Sequence, residues 1–254
     1  MILALRSSLL DSFGFRHGFS LRAGGVSVAP FASLNLGRAV GDQPEAVLEN
    51  HRRFAAEVGY VAQALYEVSQ VHGVHVEGIG DDPPEVVRQR EADALVCGRP
   101  GAAIGVRTAD CTPVLLADPH TGAVGAVHAG WRGTAKGVIE AAVAALCAEA
   151  RAPRERLIAA VFPCIGTAAF EVGDDVAAQL AGAVGDDTVI QRGTGRPHAD
   201  LAAAVGRLLR RAGLSPVRIQ HVAGCTFADP GRFFSHRRDD GKTGRHLAAI
   251  VPRC

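Results

Sequence analysis

Apolar positions recur along the chain at two spacings, and the switch between them marks out the elements. Val47, His51, Phe54 and Val58 share one helical face, between Asp42-Gln43-Pro44-Glu45, which has the form of a capping box, and a closing Gly59. Ile139, Val143 and Leu146 repeat that period, with Thr134 as a candidate N-cap. Leu201, Val205, Leu208 and Leu209 repeat it again, opened by Asp200 and closed by Gly213. Residues 170–184 read as a further helix that carries Gly173 inside it. Short runs rich in Val, Leu, Ile and Ala read as strands at 13–20, 65–71, 94–97, 102–106, 113–117, 123–127, 157–162, 217–222 and 246–251. Residues 81–91 form a charged loop with two prolines, and 33–38 is polar punctuation. Hairpins and helical crossovers both occur, which implies one α/β domain with mixed pairing over residues 1–254.

Composition narrows the function classes. The chain is 48% hydrophobic and 21% charged, enough for a core and too ordered a mixture for a disordered segment. A formal net charge of +1 offers no electrostatic case for nucleic acid or an anionic membrane. The first fifteen residues hold too short an apolar run for a signal peptide, and no run approaches a membrane span. The six Cys (97, 111, 147, 164, 225, 254) are scattered without CxxC spacing, so reduced thiols and a cytoplasmic location are expected.

Candidate chemistry gathers in one stretch. The runs 113–117 and 123–127 flank the turn Asp118-Pro119-His120-Thr121-Gly122 and pair antiparallel. Cys111 lies just before the first strand and His128 just after the second, so the hairpin brings thiol and imidazole to one sheet edge. Each alone has an ordinary reading as a packed or satisfied side chain. Their common edge, with Asp110 and Arg132 beside them, makes an active-site layout. Arg132 stands at a helix start, where an anion finds free N–H groups. Two other near-motifs fail. Gly25-Val26-Ser27-Val28-Ala29 lacks the last glycine and the flanking elements of a nucleophile elbow. His75-Val76-Glu77 with Pro163-Cys164 imitates a zinc deaminase signature, but Thr167 stands where the second Cys belongs.

Gln70-Val71-His72-Gly73, the run from Thr108-Ala109-Asp110-Cys111 to Asp118, and Val127-His128-Ala129-Gly130-Trp131-Arg132-Gly133-Thr134 carry a resemblance. So do His17-Gly18-Phe19-Ser20, Gly24-Gly25-Val26-Ser27, Ser33-Leu34-Asn35-Leu36-Gly37, Glu91-Ala92-Asp93-Ala94-Leu95 and Phe233-Phe234-Ser235-His236-Arg237-Arg238. The chain resembles the family once called multicopper polyphenol oxidases or laccase-domain proteins. Its members are now mostly named purine nucleoside phosphorylases, and one branch is called a peptidoglycan editing factor. Two departures stand out: Phe162 where the family has Gly before Pro-Cys-Ile-Gly, expected to add bulk beside the site, and His236 where it has Tyr.

The resemblance implies an α+β fold, a single-domain α-β sandwich of mixed sheets flanked by helices, similar to cysteine deamidase toxins. It implies His72, Cys111 and His128 as metal ligands. Two His and one thiolate suit Zn²⁺ and leave a fourth place open. Copper is the alternative metal, although the only Met is Met1 and no H-x-H pair exists for a trinuclear cluster. The implied activity is phosphorolysis of adenosine, inosine and S-methyl-5′-thioadenosine, with adenosine deamination. An amidase acting on a peptidoglycan precursor through a metal-free Cys111–His128 pair is the rival, and a metal-dependent interaction module the non-enzymatic one. For phosphorolysis, Arg132 is the expected phosphate holder, with Arg38 and Arg237 as further cations. Gln70 and Asn35 are candidates to read base or sugar, Cys164 is counted with the substrate contacts, and Asp110 is an acid, a base or a partner orienting a His. The expected partners are a purine nucleoside and phosphate, bound to a monomer or weak homodimer.

Overall fold

The structure is a computed structural model that describes residues 3–253. Two mixed sheets form its frame. The first runs, edge to edge, β1 (Ala4–Leu5), β2 (His17–Ser20), β13 (His246–Ile250), β6 (Ala103–Thr108) and β3 (Leu65–Tyr66). The second runs β12 (Ile219–His221), β9 (Ile158–Val161), β7 (Thr112–Ala117), β8 (Val124–Ala129), β5 (Ala94–Cys97) and β4 (Val76–Gly78). A short ribbon pairs β10 (Ile190–Gln191) with β11 (His198–Ala199). The helices are α1 (Ser8–Ser12), α2 (Pro44–Val58), α3 (Pro84–Val87), α4 (Trp131–Lys136), α5 (Val138–Ala150), α6 (Asp174–Val184) and α7 (Leu201–Arg211). None among the described residues is long and apolar enough to cross a membrane.

Alternation along the strands decides the layers. On the second sheet Val114, Leu116, Val127, Ala159 and Val161 face Val143, Leu146, Leu180 and Leu208 of α5, α6 and α7. The intervening Leu115, Ala117, Val124, Ala126, Ile158 and Ala160 face the first sheet, where Phe19, Ile104, Val106, Ala248 and Ile250 meet them. The outer face of the first sheet, Ala103, Leu247 and Ala249, is covered by Phe54 and Val58 of α2. The order is therefore helix, sheet, sheet, helices. Phe162 belongs to the middle layer: it is 1% exposed and stacks on Phe19 at 5.9 Å. Its bulk fills the core between the sheets and does not narrow the site, contrary to the expectation from sequence.

Several elements differ from the sequence pattern for local reasons. The capping box before α2 does not form, because Asp42 is already committed. Its Oδ1 accepts from the Gln43 N–H at 2.8 Å and its Oδ2 from Asn35 Nδ2 at 2.8 Å, leaving Gln43 as an N-cap without a side-chain bond. Thr134 does not cap the helix after the hairpin. It lies inside α4, and Gly137, at φ 98°, ends α4 and opens α5. The helix expected from 170 starts at Asp174, with Gly173 as its N-cap. Ser8–Ser12 is a helical turn capped by Ser7, so the strand expected from 13 is confined to β2. The strand expected over 65–71 stops at Tyr66. Beyond it the Gln70 side-chain amide replaces the ladder, donating to the Arg107 carbonyl at 2.7 Å and accepting from the Arg107 N–H at 2.8 Å.

Candidate active site

The hairpin of β7 and β8 pairs Thr112 with Ala129 and Pro113 with His128, which puts Cys111 beside the end of β8. His128 is on the same strand face as Ala126 and Val124, so its ring points between the two sheets at their open end. Cys111 is delivered there by a tight reversal between β6 and β7 in which Asp110 adopts φ 92°. His72 arrives from the loop after β3, itself at φ 59°, a left-handed conformation uncommon for a non-glycine residue. The donor atoms of His72, Cys111 and His128 all lie within 4.8 Å of one another, with Cys111 Sγ 3.8 Å from His72 Nε2. The imidazole rings meet edge to face at 4.8 Å. A Cβ at Gly130 would come within 2.7 Å of the His72 ring and 3.1 Å of Cys111 Sγ, so any side chain there would displace the ring from its place beside the thiol.

One carboxylate ties this centre together. Asp93, fully buried just before β5, accepts from His128 Nδ1 at 2.7 Å and from the His72 N–H at 2.9 Å through Oδ1. Its Oδ2 accepts from the N–H groups of Gly73 at 2.6 Å and Val71 at 3.2 Å. Burial opposes its charge, but the His128 bond and these backbone donors hold its carboxyl below the usual range. With Nδ1 committed to Asp93, His128 presents Nε2 to the centre, the arrangement in which a carboxylate orients a metal-ligating His. Asp93 was not singled out from the sequence beyond its place in the Glu91-Ala92-Asp93-Ala94-Leu95 match. Burial pushes the Cys111 thiol up, yet the facing His128 and His72 overcome this and lower it. Burial likewise disfavours imidazolium at His128, while Cys111 and Asp93 raise its basicity. Two imidazoles and a thiolate in this arrangement fit Zn²⁺ with one place open.

A cavity of about 410 Å³ opens beside the three residues, a size typical of small-molecule sites. Arg38, Arg107 and Arg245 line it, together with Thr108, Gln70 and His236. Beneath them lies Glu67, 1% exposed, 3.0 Å from Arg38 Nε, 3.4 Å from Arg107 Nε and 3.9 Å from Arg88 Nε. Three guanidiniums thus share one buried carboxylate, which leaves this wall cationic. Thr108 Oγ1 is buried without a hydrogen-bond partner. A smaller cavity of about 140 Å³ adjoins the first at Ala109, Cys111 and His236.

The expected site residues divide. Arg38 and Gln70 line the larger cavity, although both polar groups of Gln70 are held by Arg107. Asn35 does not reach it: Oδ1 accepts from the N–H groups of Gly37 and Arg245, and Nδ2 donates to Asp42, so it fixes the loops that carry Arg38 and Arg245. Arg132 is outside both cavities, exposed, with its guanidinium 4.6 Å over the Trp131 ring. Asp110 orients no His. Its Oδ1 accepts from Thr226 Oγ1 at 2.6 Å and its Oδ2 from the Arg237 N–H at 2.7 Å, which fastens the 226–237 segment beside Cys111. Cys164 is buried outside the cavities, its thiol pushed up to about 12. Arg237 borders only the smaller cavity. Arg245 was missed because the pairing of β13 with β6, and not sequence spacing, sets it beside Cys111, and Arg107 because nothing in the sequence links it to Glu67.

The chain matches the family model described as multi-copper polyphenol oxidoreductase laccase over residues 16–253. It is 43% identical over 238 residues to a purine nucleoside phosphorylase of Deinococcus radiodurans, covering 93% of this chain and 89% of the relative. A purine nucleoside phosphorylase of Pseudomonas aeruginosa is 42% identical over 234 residues, with 90% of each chain covered. YlmD of Geobacillus stearothermophilus superposes with a TM-score of 0.88 at 28% identity over 100% of both chains. The Neisseria meningitidis protein NMB0706 gives 0.81 at 35% identity, with 94% of each chain covered.

Proposed function

The chain belongs to the multi-copper polyphenol oxidoreductase laccase family, and from that membership we propose that it splits purine nucleosides with phosphate. The observation that carries this reading is the cationic wall of Arg38, Arg107 and Arg245 in the same cavity as His72, Cys111 and His128. The relatives named purine nucleoside phosphorylase supply the reaction class. In that reaction a phosphate oxygen bonds to C1′ of the ribose while the C1′–N9 bond breaks. The electron pair leaves on the base, and the proton of hydrogenphosphate ends on N9.

Each residue's part follows from its surroundings. Arg38, Arg107 and Arg245 bind and orient the phosphate dianion; Glu67 holds Arg38 and Arg107 in place. Thr108 Oγ1, buried and unpartnered at the cavity wall, takes a hydrogen bond from or gives one to the bound substrate. Asp93 fixes His128 and the His72 loop. Asp110 is a positioning residue for the 226–237 segment. His72, Cys111 and His128 would hold Zn²⁺, which supplies a Lewis acid and lowers the pKa of a bound water to about 7. That capacity fits the proposed second activity, deamination of adenosine by water to inosine and ammonia. Copper and polyphenol oxidation fit less well, since the His₂Cys set lacks a methionine beyond Met1 to serve as axial ligand.

We propose adenosine, inosine and S-methyl-5′-thioadenosine as substrates and a cytoplasmic location. The test is incubation of the purified protein with adenosine, with and without phosphate, followed by separation of adenine, inosine and ribose 1-phosphate. Phosphate-dependent adenine and ribose 1-phosphate are expected, with inosine formed in either condition. A second reading, a metal-free thiol amidase on a peptidoglycan precursor, rests on the lowered Cys111 thiol facing His128. It predicts immediate inactivation by iodoacetamide and indifference to chelators, the reverse of a zinc-held thiolate.

A further inference from the structure

Two cysteines that the proposed reaction leaves unused stand opposite each other beyond the ends of β9 and β12. Cys164 and Cys225 are partners in an isolated parallel bridge, in which the Thr226 N–H donates to the Cys164 carbonyl at 3.0 Å. Neighbouring strands lie about 4.8 Å apart, and a disulfide spans a Cα separation of roughly 4.4–6.8 Å. The Cys225 side chain leans toward the Cys164 segment: its Sγ accepts from the Gly166 N–H at 3.1 Å and from the Ala228 N–H at 3.4 Å. A Cβ on Gly166 would come within 3.0 Å of that sulfur, so the glycine keeps the contact open. Cys164 is 4% exposed, whereas Cys225 is half-buried. One thiol is reached from solvent and the other lies behind it, the layout of a reactive and a resolving cysteine.

Asp110 joins this pair to the candidate metal ligands. Its carbonyl accepts from the N–H of Ile165, next to Cys164, at 3.0 Å, and its Oδ1 accepts from Oγ1 of Thr226, next to Cys225, at 2.6 Å. Asp110 in turn sets the left-handed reversal, φ 92°, that delivers Cys111. We infer that Cys164 and Cys225 form an oxidation site, which closes reversibly to a disulfide on exposure to a hydroperoxide and thereby loosens the Cys111 turn. The Cys225 sulfur bonds to the outer oxygen of the hydroperoxide as the O–O bond breaks. The thiol proton goes to the departing oxygen, which leaves as an alcohol, or as water from hydrogen peroxide. The Cys164 sulfur then displaces the oxygen on Cys225; the S–S bond forms, and the released hydroxide takes the Cys164 proton to become water. Each sulfur gives up one electron, and the peroxide bond takes both. To make the new bond, the Cys225 sulfur leaves the N–H groups of Gly166 and Ala228, and Thr226 moves with it away from Asp110. Transient disulfides of this kind are the form in which otherwise reduced thiols sense oxidant.

Each cysteine falls in a different tryptic peptide, Cys164 in 157–192 and Cys225 in 219–232, so a bridge between them is read without ambiguity. The experiment treats the zinc-loaded protein with equimolar hydrogen peroxide, blocks free thiols and maps the unreduced digest. Zinc release to a chromogenic chelator is followed on the same samples. A cross-linked species of 157–192 with 219–232 that dithiothreitol splits is expected, with zinc released severalfold faster than from the reduced protein. Cys225→Ser, whose hydroxyl can keep both backbone bonds, should show neither change. Should that variant fail to fold, differential alkylation of the wild type before and after peroxide scores the same two thiols. Peroxide that leaves Cys164 free, whether Cys225 is untouched, overoxidised or bridged elsewhere, would overturn the oxidation site. A mapped bridge with zinc release unchanged, or accelerated equally in Cys225→Ser, would overturn its action on Cys111. Neither readout depends on the reaction catalysed, so failure of the phosphorylase reading is distinguishable from failure of this one.

Discussion

Because Asp93 alone holds both the His72 loop and the His128 ring, Asp93→Asn is expected to lower zinc affinity about 10- to 100-fold. Competition with a chromogenic chelator measures this; unchanged affinity would mean that the ligands are fixed by other contacts. The arginines divide in the same residue-level way. Arg38 lines the cavity on a buried carboxylate, whereas Arg132 lies over Trp131 outside it. A hydrogen bond to a charged group is worth about 1.5–3 kcal/mol, so Arg38→Ala should weaken apparent phosphate affinity roughly ten- to a hundredfold. Arg132→Ala should change it less than twofold. Steady-state phosphate dependence of inosine cleavage decides between them, and the opposite ranking would return the phosphate to the start of α4. Cys111 and His128 were legible in the sequence because the turn Asp118-Pro119-His120-Thr121-Gly122 joins two short apolar runs into a hairpin that brings their ends together. His72 came only through family likeness, since nothing in its spacing relates it to Cys111. Asp93 was visible only within the Glu91-Ala92-Asp93-Ala94-Leu95 match and Arg245 not at all, because strand pairing brings each from a distant segment. Arg107, close to Cys111 in the chain, reads as an ordinary strand residue until Glu67 is placed beside it.

At the scale of elements, the β7–β8 hairpin that carries the site is pinned at its far end by Asp118. That carboxylate is fully buried, accepts from Arg156 Nε and Nη2 at 2.7 Å each, and also takes the Thr121 N–H and hydroxyl. Burial works against its charge, but Arg156 and Thr121 lower its pKa to about 2 from the ordinary 3.8. A carboxyl lowered on folding supplies stability that is fully present above its unfolded pKa and lost as pH falls through the folded one. Asp118→Asn should therefore destabilise by about 1.5–3 kcal/mol at pH 7, and the gap from wild type should close between about pH 4 and pH 2. Chemical denaturation across that range reads it; a gap independent of pH would assign the effect to packing. Elements with long apolar periods, α2 and α7, were readable from sequence together with their closing Gly59 and Gly213. Those that failed did so where one side chain replaced regular structure, as Gln70 does after β3 and as Asp42 does before α2.

Across the whole molecule, the sandwich order explains why a chain of net charge +1 presents a cationic cavity. The ends of β6 and β8 and the starts of β7 and β13 gather at one end of the paired sheets. Arg107, Arg245, Cys111 and His128 converge there, with Arg38 supplied by a loop that Asn35 fastens to Arg245. The proposed phosphorolysis requires that Cys111 hold the metal in the site where the nucleoside is cleaved. The most direct test measures zinc by elemental analysis and phosphorolysis of inosine together, on wild type and Cys111→Ser. A serine hydroxyl is a poor zinc ligand, so zinc and activity should be lost together in a variant that remains folded. Full zinc occupancy with lost activity would contradict the metal role of Cys111 and make it a covalent nucleophile with the metal bound elsewhere.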